Sequence, residues 1–126
     1  METREVVVKY FECVNRGDWD NWLLLFDDGV VMDEQLAGHL EGIQILRDAI
    51  GGLKKGYSKF FNHPIEMIVE GDKAMVTWHI VAANAAGVPI EAKGANFFRV
   101  QNSKIVYMAN FHDTVPFKPF IEQKLD

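Results

Sequence analysis

Between Phe60 and Asp113 the chain repeats one pattern four times: a run rich in β-branched and aromatic residues, closed by a short turn. The runs Phe60–Glu70, Lys73–Asn84, Val88–Val100 and Lys104–Asp113 are separated by Gly71-Asp72, Ala85-Ala86-Gly87 and Gln101-Asn102-Ser103. Connections this short join only neighbouring antiparallel strands, because a parallel crossover needs a dozen or more residues. The spacing therefore predicts an antiparallel meander. Such a sheet must bury one face, and the rest of the chain has to supply the cover.

The cover lies upstream. From Thr3 to Arg16 the residues Val6, Val7, Tyr10, Phe11 and Val14 recur at three- and four-residue steps, the spacing of one helix face, and Gly17 provides a left-handed stop. Asp18 suits the N-cap of a short second helix whose inner face carries Trp19, Trp22, Leu23 and Phe26. Residues Gln35–Glu41 read as a loop. Residues Gly42 to Ile50 open a third helix, with Ile43, Leu46, Ile50 and Leu53 inward, Arg47, Asp48, Lys54 and Lys55 on its solvated face, and Gly51, Gly52 and Gly56 weakening its far end. Helices followed by strands give an α+β fold with a ligand-sized space between the layers. With 126 residues, 48% of them hydrophobic, residues 1–126 suffice for one domain with its own core. The proline-broken segment from Val115 to Phe120 is expected to pack over an edge or the pocket mouth without forming an element.

Charge and composition exclude several functions. A net charge of −5 with 13 scattered Lys and Arg offers no basic stripe for a phosphate backbone, so no nucleic-acid partner is expected. No apolar run approaches the roughly 20 residues that span a bilayer, and the N-terminus lacks the uncharged core of a signal peptide, which points to a cytoplasmic protein without a membrane partner. Cys13 is the one cysteine, so an internal disulfide and a Cys-rich zinc site are excluded. A metal set drawn from Glu34, His79, His112 and Asp113 lacks ligand spacing such as HxxxH, and neither metal nor cofactor is expected.

The chemistry concentrates where the apolar strand Gly29-Val30-Val31-Met32 runs into two acids, Asp33 and Glu34. A carboxylate entering a core is costly unless paired or protonated, so one of the two is a candidate pocket acid or base. Strand alternation sends them to opposite faces, and residue types alone leave open which one faces inward. His79 sits in a central strand, where an imidazole near its reference pKa serves in either protonation state. His112 and Asp113 point to opposite faces of a regular strand. Trp22 and Met32 are the best candidates for pocket lining, and the abundance of aromatics implies an apolar, ring-containing or acyl ligand.

The order of elements, together with NRGDWDNWLLLFDD, the Gly42-Ile43-xxx-Arg47 helix start, the Gly71-Asp72-Lys73 hairpin and the Gly87-Val88-Pro89 turn, resembles the NTF2-like superfamily, which includes ketosteroid isomerases and SnoaL-like polyketide cyclases. The resemblance implies a cone-shaped, cystatin-like fold, with three N-terminal helices packed on a curved antiparallel sheet, and a site for small molecules. The isomerases place an oxyanion-hole tyrosine eight residues before the aspartate of the N-x-G-D turn, which corresponds to Tyr10 before Asp18. Their general base corresponds to Asp33 when counted back from Gly42 and to Glu34 when counted forward from Phe26. Their second oxyanion donor, a protonated aspartic acid, corresponds to Asn96, whose amide can also donate. In the epoxide-hydrolase branch an Arg and two Asp form the site; the corresponding positions are Thr77, His79 and Asp113, so that triad is not present as written.

These readings converge on a small-molecule pocket protein with acid–base chemistry from Asp33 or Glu34, Tyr10, His79, Asn96 and Asp113. Trp22, Met32, Thr77, His112 and Phe117 are its expected pocket wall. The alternative is a ligand-binding or dimerisation module without chemistry. An outer sheet face carrying Trp78 and Ile80 is too apolar to stay wet, so a homodimer through that face is expected.

Overall fold

The computed structural model describes residues 1–125. In chain order it contains α1 (Thr3–Arg16), α2 (Trp19–Leu23), β1 (Phe26–Glu34), β2 (Gly38–Glu41), α3 (Ile43–Gly56), β3 (Tyr57–Glu70), β4 (Lys73–Asn84), β5 (Pro89–Gln101) and β6 (Lys104–His112). A 3₁₀ turn, Val115–Phe117, leads into a final helical turn, α4 (Lys118–Ile121). The helix stops follow the local chemistry. Gly17 adopts φ 67°, and its N–H closes the last turn of α1 on Cys13 and Val14, while the Asp18 carboxylate caps α2 by accepting from Asn21 N.

All six strands form one curved, open sheet in the order β2-β1-β6-β5-β4-β3. The meander β3 to β6 is antiparallel throughout, as its turns dictate. The β5–β6 turn needs positive φ at both Asn102 and Ser103, 52° and 63°, which matches the twist of the strands it joins. Two strand pairings depart from the sequence reading. The segment Gln35–Glu41 is not all loop, because Gly38–Glu41 pairs back on β1; and β1 lies parallel to β6, which makes the sheet mixed. Residues Tyr57–Lys59 extend the first meander strand, Phe26 belongs to β1 and not to the second helix, and α3 continues through Gly51-Gly52 to Gly56. The tail also forms elements after all, since Pro116 and Pro119 fall in the first turns of its two short helical pieces, where proline is tolerated.

The core lies between the concave sheet face and the helices. Val6, Val7, Tyr10 and Phe11 of α1 meet Val76, Trp78, Phe98 and Ile105 of the sheet, all buried. The expectation that Trp78 and Ile80 face outward is corrected: both are buried, 2% and 5% exposed, and point to the concave side. Their neighbours Thr77, His79 and Val81 take the outer face, the phase favoured by the uniformly apolar even positions Ala74, Val76, Trp78, Ile80 and Ala82. The outer face instead exposes Phe61, Met75 and Phe111. Among the described residues no helix is long and apolar enough to cross a membrane.

Candidate functional site

The sheet and helices enclose a cavity of about 510 Å³, a size that holds a drug-sized molecule. Met32 and Glu34 of β1, Asn96 of β5, and Met108, Asn110 and His112 of β6 line its sheet side. Tyr10 and Trp22 come from the helices, and Phe117 and Phe120 from the tail.

Strand alternation decides between the two acids. Met32 faces inward, so Glu34, two residues on, does too. Asp33 points to the opposite face, where Oδ1 lies 2.7 Å from His39 Nδ1 and Oδ2 accepts from the Tyr107 hydroxyl at 2.6 Å. The Tyr107 hydrogen bond, then that of His39, holds the Asp33 carboxyl below its ordinary range. Asp33 is therefore a surface carboxylate outside the cavity.

Three donors orient Glu34. Its Oε2 accepts from the backbone N–H groups of Leu36 and Ala37, at 3.1 and 2.6 Å, and its Oε1 accepts from Asn110 Nδ2 at 3.1 Å. Asn110 is itself fixed, since its Oδ1 accepts from Gln35 N at 2.9 Å. The β1–β2 turn and the neighbouring strand thus aim one carboxylate at an apolar space.

Tyr10 lies among Phe11, Trp22, Phe26 and Phe98, with ring centroids 5.0–6.2 Å away. Burial, and then the charge of Glu34, push its pKa well above the phenol range, with the Asn96 and Trp22 side chains acting in the opposite direction. The hydroxyl stays protonated and remains a donor. Asn96 is buried, and its orientation follows from its neighbour: the indole N–H of Trp78 can only donate, and it does so to Asn96 Oδ1 at 2.9 Å. The Asn96 NH₂ group is left on the Met108 side, 3.9 Å from the sulfur. Trp22 Nε1 is buried without an acceptor.

The remaining candidates divide. His112 lines the cavity between Trp78 and Phe117, with centroids at 5.6 and 4.9 Å, and its Nδ1 sits 2.8 Å from the Asp113 carbonyl oxygen. A carbonyl only accepts, so Nδ1 carries the proton and Nε2 is the free nitrogen of the neutral ring. His79 does not reach the cavity. Its Nε2 lies 2.7 Å from Glu91 on the outer face, because odd positions of β4 point away from the helices. Asp113 falls just beyond β6, where it is exposed and accepts from Val115 N at 2.9 Å to start the tail's turn. Thr77 is exposed on the outer face, where its hydroxyl accepts from Glu66 N. A His79 and Asp113 pair on the concave face is therefore not formed.

Asn62, Asn110 and Tyr57 line the cavity and were not named as site residues, whereas Phe120 lies on the tail that was expected near the pocket. Asn110 had a signal, standing between Met108 and His112 on the same alternation. Tyr57 is pushed above the phenol range by burial and by the charge of Glu34. Among the described residues no group of three His, Cys, Asp or Glu could hold a metal ion.

A SnoaL-like domain model matches residues 7–108. The chain belongs to the SnoaL-like family. Its fold is similar to that of an NTF2-like protein of unknown function from Burkholderia pseudomallei K96243, with TM-score 0.86, 18% identity, and coverage of 96% of this chain and 98% of that one. A candidate SnoaL-like polyketide cyclase from Jannaschia sp. CCS1 gives TM-score 0.79 and 18% identity over 98% and 93% of the two chains. TerC, co-crystallised with polyporic acid, gives TM-score 0.83 and 17% identity over 96% and 98%. No curated protein matches the sequence. At such identities the likeness carries this SnoaL-like chain's NTF2-like fold, and the chemistry has to come from its own cavity.

Proposed function

We propose that this SnoaL-like protein binds an apolar, ring-containing or acyl molecule in its cavity and moves a proton on it, as an isomerase, cyclase or hydrolase would. The observation that carries the reading is that Glu34 opens into the same apolar cavity as Tyr10, whose protonated form is reinforced by burial and by the charge of Glu34. A carboxylate base takes a proton next to a carbonyl, and negative charge then develops on the carbonyl oxygen. Tyr10 and the Asn96 NH₂ group are the donors available to steady it, in a water-poor space where such bonds are strongest. The structural relative TerC, co-crystallised with polyporic acid, supports small-molecule occupancy of this scaffold.

A second reading, ligand binding without chemistry, is favoured by one observation: Glu34 already accepts three hydrogen bonds that shape the β1–β2 turn. Proton abstraction from 5-nitrobenzisoxazole separates the two. Removal of its C3 proton breaks the N–O bond and leaves the electron pair on a coloured phenolate, so the assay needs only a base in an apolar pocket. Turnover above that of free acetate, falling about 100-fold or more in Glu34→Gln and unchanged in Asp33→Asn, is the expected result. Equal turnover in wild type and Glu34→Gln eliminates the catalytic reading.

A homodimer through the outer sheet face is supported by the exposed Phe61, Met75 and Phe111, and no longer by Trp78 or Ile80. Sedimentation of wild type as a monomer at micromolar concentration rejects it.

A further inference from the structure

The cavity has a polar group that the proposed proton transfer does not use. Asn62 lies on β3, the edge strand furthest from Glu34 in the sheet, and lines the same cavity. The residue is only 5% exposed, and its side-chain Oδ1 is buried without a hydrogen-bond partner. Buried amides are otherwise satisfied, and the exceptions require an explanation.

A structural role does not supply one. The free edge of β3 at this position is covered by Asn15 of α1, which accepts from Asn62 N at 2.7 Å and donates to Asn62 O at 2.9 Å. The backbone of Asn62 therefore holds α1 to the sheet, and the side-chain amide has no part in that clasp. The cavity's other asparagines differ. Asn110 is bonded through both ends of its amide, and Asn96 accepts from Trp78.

Register places Asn62 diagonally across the concave face from the proposed base. Asn110 pairs with Asn96, and Asn96 with Val76, whereas Asn62 pairs with Ile80, four residues further along β4. Sideways, four strand steps of about 4.8 Å each separate β1 from β3, shortened by the curvature of the sheet. Trp78, Ile80 and Met108 line the apolar space between. A ligand engaging both ends is elongated, with polar groups at opposite ends of an apolar body.

We propose that Asn62 is a distal anchor for the ligand. The class of molecule is then an elongated apolar carbonyl compound with a hydroxyl, or another group that both donates and accepts, at the end away from Glu34. The terminal torsion of an Asn side chain is broad, so its amide turns either end toward such a group. This inference rests on the small-molecule reading of the cavity and adds the ligand's second polar end.

The test compares two probes, 2-acetylnaphthalene and 6-hydroxy-2-acetylnaphthalene, by calorimetry on wild type and Asn62→Leu. The hydroxyl is expected to tighten binding to wild type by about tenfold, and this gain to shrink below about twofold in Asn62→Leu, each protein being compared with its own affinity for 2-acetylnaphthalene. Ligand-free Asn62→Leu is expected to melt at or above the wild-type temperature, because it loses an unpaired buried polar group. Binding of both probes with no hydroxyl gain, or a gain that survives in Asn62→Leu, overturns the anchor and leaves the cavity reading standing. Failure of both probes to bind wild type overturns the cavity reading and the anchor with it. A marked fall in the Asn62→Leu melting temperature assigns the amide to the fold and overturns the anchor as well. Asn62→Ala repeats the binding comparison should Asn62→Leu not accumulate.

Discussion

Glu34 and Asn110 face each other across the parallel β1–β6 pair, carboxylate Oε1 to amide Nδ2 at 3.1 Å, and Asn110 is locked in that pose by Gln35 N. The carboxylate is thus held by groups that belong to the turn as much as to the cavity. Replacing it separates the two duties. Glu34→Gln keeps an acceptor for Leu36 and Ala37 N–H but sets its NH₂ against Asn110 Nδ2 and is expected to cost about 1 kcal/mol, whereas Glu34→Leu strands all three donors and costs up to about 3 kcal/mol. Urea unfolding of the two variants checks this; equal stability of both removes the turn-holding role.

On the outer face, His39 bridges Asp33 and Glu41, with Nδ1 2.7 Å and Nε2 3.0 Å from the two carboxylates. Its pKa is raised from 6.5, chiefly by Asp33 and then by Glu41, while that of Asp33 is lowered from 3.8, chiefly by Tyr107. The signs fix a window. A raised His contributes stability that is complete below about 6.5 and is lost as pH rises through its folded pKa; a lowered Asp contributes stability that is present above about 3.8 and is lost as pH falls through its folded pKa. The stability difference between wild type and His39→Gln is therefore larger at pH 5.5 than at pH 8.5, and smaller in high salt because the groups are exposed. Denaturant titrations at the two pH values measure it.

On the cavity wall, Phe120 stacks on Tyr57 with centroids 4.3 Å apart and planes 7° from parallel. Gly56 lies directly beneath. A Cβ there would collide with the edge of the Phe120 ring and lie 3.2 Å from Gln123 Nε2. Helix propensity alone favours alanine at Gly56, by less than the roughly 1 kcal/mol of a helix interior because Gly56 is the last residue of α3. Packing reverses the sign: the variant is expected to lose about 1–2 kcal/mol and to release the segment from Val115 to Ile121. Thermal melting gives the sign, and faster hydrogen exchange in that segment locates it; a stabilised variant contradicts the packing argument.

The legible and illegible parts of the fold differ in range. The four meander strands were visible because Gly71-Asp72 and Asn102-Ser103 are local signals with local consequences. The parallel pairing of β1 with β6 was not, because its partners, Met32 and Met108 for example, are far apart in sequence and nothing in either strand names the other. The choice between Asp33 and Glu34 was latent in Met32, since an inward Met32 forces an inward Glu34. His79 was misplaced although β4 carried the signal, since its even positions from Ala74 to Ala82 are apolar and turn inward, which sends the odd position His79 outward. Asn62 carried no signal, as an asparagine on an edge strand is ordinarily wet and here α1 covers it.

Gly94 is where the floor of the cavity is set. It pairs with Trp78 on β4 and His112 on β6, and a Cβ built on it would lie 2.6 Å from the Phe111 carbonyl oxygen and 2.7 Å from the Trp78 ring. Glycine in a strand is normally a weakness, and strand preference by itself gives Gly94→Ala no penalty. The neighbouring strand decides otherwise, because the Phe111 carbonyl is sheet backbone that cannot yield cheaply, and the indole can do so only by moving into the cavity it lines. Gly94→Ala is expected to cost about 1–3 kcal/mol and to tilt Trp78 away from Asn96, breaking the bond that orients the Asn96 amide. Trp78→Phe removes the same bond without the clash. Both variants are expected to lose 5-nitrobenzisoxazole turnover in parallel, by about tenfold, if the Asn96 NH₂ group steadies the developing phenolate. Full activity in Trp78→Phe shows that the amide needs no indole to hold it, and limits the effect of Gly94→Ala to stability.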